Sequence, residues 1–322
     1  MRIDLPARDA WMALSDQYRK GIGLPEPALP ILIYNGYQHA LWEVTQGLAK
    51  LFSHKKTIAI LHGDEPSYAA IASAFSEDGY IIKSLRLDDF KDPSAWLAPM
   101  QNELLFVLYA QDDLVTGALH DVTALNAALK DKRVFRVSIS HSAHQLRAQA
   151  RPEPFEVRLL SLATDRALLV AGERCRITSP VADRLPWRLD EPKRVTAELG
   201  VASAAEVIAR QKRVLDFEKN LPQGFQPYFA AGAERVFDRA VIFHPGLDGS
   251  AVVDSLAGAA GDFDSTSPCR WENTRFTDWL TEKGMAPEVI RGLVVLSVDR
   301  LDDQLKTRLG EIARKLLKLQ GP

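Results

Sequence analysis

Cysteine is nearly missing from this sequence: Cys175 and Cys269 are the only two in 322 residues. Two thiols make no disulfide framework, and with no CxxC or Cys/His spacing they make no structural metal site. A reduced, cytoplasmic setting is the expectation. An excess of charge is missing too. With 40 basic residues against 42 acidic ones, the net charge is −2, so electrostatics gives no reason to expect nucleic acid or an anionic membrane as partner. The short basic clusters His54-Lys55-Lys56 and Arg314-Lys315 read as solvated helix faces. No stretch has the length and apolarity of a membrane span. The opening segment MRIDLPARDAWMALSDQ carries acids early and does not read as a secretory signal.

Several chemical signatures are also lacking. There is no GxxxxGK[ST] or GxGxxG phosphate loop, no GxSxG nucleophile elbow, no internal repeat and no low-complexity run. One absence is local. No lysine occurs between Lys132 and Lys193.

What remains is an ordinary globular composition, 46% hydrophobic, enough for a large core. Residues 7–20 read as an amphipathic helix and 21–30, with three prolines, as an extended arm. From Ile31 strands and helices alternate. Helices are expected over 38–53, 66–77 and 120–131, and strands over 57–62, 80–87, 104–110 and 134–140. The stretch SLATDRALLVAG (161–172) lies in a strand–corner–strand hairpin. Strands such as LLFVLYA are continuous apolar runs, the mark of a mostly parallel sheet covered on both faces. The expected fold is therefore α/β: a three-layer αβα large domain over 31–200. After a polar crossing (180–195), a linking helix near 204–220 and a smaller α+β domain fill 201–322. The latter has strands at 239–244 and 292–298 and helices at 249–259, 273–284 and 302–318.

Candidate site residues cluster just after strands, where open α/β sheets bind ligands. NGYQHAL (35–41) puts Gly36 at a strand–helix turn whose N–H groups can face an anion. QDDLVTG (111–117) carries Asp112 and Asp113, which read first as turn caps and second as ligands for a metal or amine. SISHSAHQ (138–145) gathers Ser138, Ser140, His141, Ser142 and His144 without the spacing of a triad. Its two histidines lack a third metal ligand. Cys269 lies in a polar loop beside Arg270, where a thiol can be activated. Cys175 reads as structural.

In their order these pieces resemble the cysteine desulfurases and class V aminotransferases, fold-type I enzymes that use pyridoxal phosphate (PLP). The resemblance runs from about Ile31 to Leu319. AVIFHPGLDGSAVVDSLAGAAGDFDSTSPC resembles the family's strand, helix and loop ending in its catalytic cysteine, here Cys269. The closing FTDWLTEKGMAPEVIRGLVVLSVDRLDDQLKTRLGEIARKLLKL resembles its helix–strand–helix, with Arg291 in the place of an arginine at the strand. The family's other signature positions are altered. Gly36, Tyr37 and Gln38 stand at its phosphate loop, and Glu65 near the histidine that stacks on the ring. Ser138 replaces the acid that pairs with the pyridine nitrogen, and His141 the glutamine at the ring oxygen. Arg166 replaces the Schiff-base lysine.

The resemblance thus implies the PLP-transferase frame without its chemistry. PLP catalysis needs an amine for the internal aldimine and a carboxylate to keep the ring nitrogen protonated. A guanidinium stays protonated and is a poor nucleophile, and Ser138 supplies no charge. No cofactor is expected. Three readings stay open. The chain is a pseudoenzyme working through a partner, as a homodimer or beside an active homologue. Or it is an enzyme with PLP-independent chemistry built on Arg166, His141 and Cys269. Or it uses PLP through Lys130, Lys132 or Lys193.

Overall fold

The computed structural model describes residues 31–34, 36–61, 66–130, 132–141, 153–162, 166–172, 174–175, 204–230, 232–260, 265–266, 280–281 and 284–319. The expected helix at 7–20, the arm, the 180–195 crossing, Glu65, Ser142, His144, Lys193, Cys269 and most of the 273–284 helix lie outside the described residues. The chain forms two compact units. The first comprises residues 1–112 and 120–203, the second 113–119 and 204–322.

The first unit is built on a seven-stranded sheet. Its strands are β1 (Ile31–Tyr34), β2 (Thr57–Leu61), β3 (Ile81–Leu85), β4 (Leu104–Ala110), β5 (Phe135–Ser140), β6 (Glu156–Leu162) and β7 (Arg166–Ala171). They lie in the order β1-β7-β6-β5-β4-β2-β3. β7 pairs antiparallel with both of its neighbours, while β6, β5, β4, β2 and β3 pair in parallel. The apolar runs explain the parallel centre: every residue of β4 is buried, as a strand covered on both faces requires. Helices α1 (Tyr37–Leu51) and α2 (Pro66–Glu77) follow β1 and β2. Leu41, Val44 and Leu48 of α1 and Ile71 and Phe75 of α2 share one core with Phe135, Val137, Ile139, Val157 and Leu159. Strand side chains alternate, so Arg136, Ser138 and Ser140 take the opposite face. That face meets α4 (Thr123–Leu129), which follows the short helix α3 (Pro93–Leu97) in the chain.

Two sequence expectations shift. The helix expected over 120–131 is only seven residues, because His120 and Asp121 are used by the turn: His120 N–H donates to the Gln111 carbonyl at 2.9 Å and Asp121 caps Thr123 N–H at 3.0 Å. α3 falls in DPSAW, a stretch assigned no element from sequence; Pro93 begins it and Trp96 and Leu97 are buried.

The second unit holds a four-stranded antiparallel sheet, β10-β11-β9-β8, from β8 (Gln226–Pro227), β9 (Arg239–Phe243), β10 (Ser265–Thr266) and β11 (Leu293–Ser297). Helices α5 (Ala204–Lys219), α6 (Gly249–Ala260), α7 (Pro287–Gly292) and α8 (Asp303–Leu319) complete it. Val214 and Phe217 of α5, Leu256 of α6 and Leu309 of α8 pack on Ile242 and Leu296. Arg291, expected at the strand, instead ends α7 and lies 3.6 Å from Asp248. The segment 113–119 turns through Gly117, whose φ of 72° and tight approach to the Val236 side chain admit only glycine.

Candidate functional site

The turns that carry Gly36, Asp112, His141 and the backbone of Arg166 lie at one edge of the seven-stranded sheet, the carboxyl ends of its parallel strands. β1 ends at Tyr34, and Gly36, at φ 86°, begins α1. Tyr34 pairs with Ala167, and Leu162 with Arg166. Position 166 and the start of α1 therefore share a corner. Gln111 and Asp112 follow β4, and His141 follows β5.

Several side chains here engage one another. The buried Asp112 carboxylate accepts the His141 backbone N–H at 3.0 Å. The Tyr37 ring stands edge-on to the His141 imidazole, 5.6 Å between centroids at 81°. Ser138 is fully buried, and the half-buried Gln111 amide donates to its hydroxyl at 3.0 Å. His120 Nδ1 lies 3.0 Å from the Ala110 carbonyl, which ties the returning chain to the end of β4. Gln38 is exposed at the first turn of α1.

The sequence candidates thus fall into groups. Gly36, Tyr37, Ser138, His141 and the backbone of Arg166 are brought to one edge. The two aspartates part company. Asp112 stays at this edge, whereas Asp113 belongs to the second unit and caps a turn, accepting from Val115 N–H (3.1 Å), Thr116 N–H (2.7 Å) and the Thr116 hydroxyl (2.9 Å). Among the described residues no three His, Cys, Asp or Glu side chains group as a metal site, and no helix is long and apolar enough to cross a membrane. Cys175 is buried beside the Pro154 and Glu156 carbonyls, and burial pushes its thiol up to about 12. It remains a protonated, inert thiol.

Sequence reading missed a set of charged groups on the α4 face. Arg136 and Glu156 are each 3% exposed, and they pair across the β5–β6 ladder. Glu156 receives Arg158 through two bonds, 2.6 and 2.9 Å, and Glu153 N–H at 2.9 Å. Arg136 Nη1 donates to Asn126 Oδ1 at 3.2 Å, and the Tyr109 hydroxyl donates to the same oxygen at 3.4 Å. Burial first, then the Glu156 charge, raises the Tyr109 phenol above its ordinary range. A signal was present: FRVSIS and EVRLLSL set charged residues inside strands that otherwise read as buried.

The cofactor implied by the resemblance can be tested against these residues. PLP needs a lysine amine and an acid at its ring nitrogen. Ser138, which the resemblance sets at the acid position, is buried and accepts the Gln111 amide. The described lysines beside the central strands sit at the opposite, amino edge. Lys55 Nζ donates to the carbonyls of Leu104 and Arg133, at the starts of β4 and β5 (2.9 and 2.6 Å). Lys132 Nζ binds Gln101, and Lys130 caps the end of α4. Lys55, Lys130 and Lys132 thus supply no amine at the carboxyl-edge turns.

No protein-family model and no curated protein matches the sequence. Solved structures do match in fold. A NifS-like protein superposes with a TM-score of 0.66 at 11% identity, over 97% of this chain and 88% of that one. A NifS-like protein from Rickettsia africae ESF-5 gives 0.64 at 15%, over 98% and 91%. Ureidoglycine-glyoxylate aminotransferase from Bacillus subtilis gives 0.64 at 12%, over 97% and 86%.

Proposed function

For a chain with the PLP-transferase fold, we propose a role that does not use PLP: a pseudoenzyme that acts by binding a protein partner, either a second copy of itself or an active homologue. One observation carries this reading. Lys130 and Lys132, the described lysines that could have replaced an amine at Arg166, flank the amino edge, across the length of β5 from the carboxyl-edge turns. A strand of six residues spans about 20 Å, well beyond a lysine side chain. The scaffold can outlast its chemistry because fold is carried by core packing and reaction by a few edge residues.

The test is direct. The purified protein is mixed with PLP, freed of excess and scanned in the visible before and after borohydride. The expected result is no retained aldimine band and no adduct by mass. A band that reduction converts to a covalent adduct overturns the reading, and the adduct's position names the lysine used.

A further inference from the structure

Arg136 is a buried charge that the described residues of the first unit satisfy only in part. Its guanidinium is 3% exposed, its one hydrogen bond goes to the neutral Asn126 amide oxygen, and Nε has no partner. The obvious counter-ion is committed elsewhere: both Glu156 oxygens are held by Arg158. A buried cation left this way is costly, and an unsatisfied buried donor calls for a ligand, ion or water to account for it.

The surroundings are built as a continuous polar path. Asn126 Oδ1 joins Arg136 to the Tyr109 hydroxyl. Tyr109 pairs with Ser138 across the β4–β5 ladder, and the Ser138 hydroxyl interacts with the phenol. Ser138 then meets the Gln111 amide. Asn126 and Gln111, the two ends, are half-buried and reach solvent. The path thus sets hydrogen-bonding groups beside a fixed positive charge, while the carboxylate opposite it in the ladder, Glu156, is engaged by Arg158.

We propose that this network is an anion site for a small carboxylate or phosphate group, in which Arg136 supplies the charge and, through its unpartnered Nε–H, a donor. The preference for an anion follows from charge-assisted hydrogen bonding, strongest where a guanidinium is shielded from water. The proposal is independent of the partner-binding role and of the fate of PLP.

Thermal unfolding tests it, with low-millimolar inorganic phosphate and acetate as separate probes and chloride matched for ionic strength. The wild-type chain is expected to gain about 4 °C once the anion exceeds its dissociation constant about a hundred-fold, and to keep rising with the logarithm of anion concentration. That logarithmic onset at low millimolar anion separates binding from general salting-out, which is roughly proportional to concentration and acts at far higher levels. Whichever probe acts at the lower concentration identifies the group. Arg136→Met is expected to lose the response. Ser138→Asp is expected to lose it too, while melting higher than wild type without added anion, because its carboxylate supplies the missing charge from within. A wild type with no shift to either probe beyond the chloride control overturns the proposal, as does a full response in Arg136→Met. If that variant does not fold, a Ser138→Asp chain that keeps the full response overturns it equally.

Discussion

Lys55 and Arg136 are buried cations of the same sheet, one at its amino edge and one on its α4 face, and the fold treats them differently. The Lys55 ammonium donates to two backbone carbonyls, those of Leu104 and Arg133. It closes the starts of β4 and β5, and its Nζ is not left buried without a partner. Arg136 makes one bond to a neutral oxygen and keeps a donor without a partner. The second unit supplies a third case. Arg235 is fully engaged: both terminal nitrogens meet Glu218, and its guanidinium stacks 4.5 Å from the Phe229 ring. The lesson is that burial of a charge does not distinguish scaffold from site. What distinguishes them is whether the surrounding protein satisfies the group by itself.

The comparison can be broken in order of expected effect. The largest loss belongs to Arg235→Met. Removing one member of a buried bidentate pair strands the Glu218 carboxylate and is expected to cost about 3–5 kcal/mol, read by urea denaturation. A loss below 1 kcal/mol would mean that the pair is solvated and the contrast with Arg136 empty. Next come the two cations of the first unit. Lys55→Met leaves two carbonyls without their donor and is expected to cost about 2 kcal/mol, whereas Arg136→Met is expected to change stability by less than about 1 kcal/mol. Equal losses in the two variants would remove the distinction drawn here.

The smallest effect is a pH dependence in the second unit. His244 Nδ1 accepts Gly246 N–H at 3.1 Å, and burial lowers its pKa from 6.5. The unfolded chain therefore takes up the proton first. Stability from neutral His244 is complete above pH 6.5 and declines as pH falls below that value toward the lower folded pKa. His244→Gln is expected to flatten that part of the stability profile, as followed by thermal melts from pH 7.5 to 5. An unchanged slope would assign the dependence to other groups.

How much was legible in advance depended on the range of the interaction involved. The apolar run of β4 announced a central parallel strand without any structure, because a strand buried on both faces has nowhere to put polar residues. The limits of α4 were not legible, since they depend on the Gln111–His120 bond. The same held for the aspartates. Asp112 and Asp113 are neighbours in a motif that reads as one turn, yet one holds His141 and the other caps a segment of the second unit. Among the site candidates, Ser138 and His141 could be named from their position after a buried strand. Arg136 and Glu156 were passed over because nothing in FRVSIS or EVRLLSL says which residues stand opposite one another across the ladder.

By itself the sequence determined the alternation of strands and helices and the apolar face they bury. These are properties of residue type and local periodicity. The tertiary structure alone decided that Lys130 and Lys132 flank the wrong edge of the sheet. It alone left Arg136 with an unused donor while Lys55 and Arg235 are satisfied. Such outcomes follow from strand order and register, which bring together groups far apart in the chain and so cannot be read from either group's neighbours.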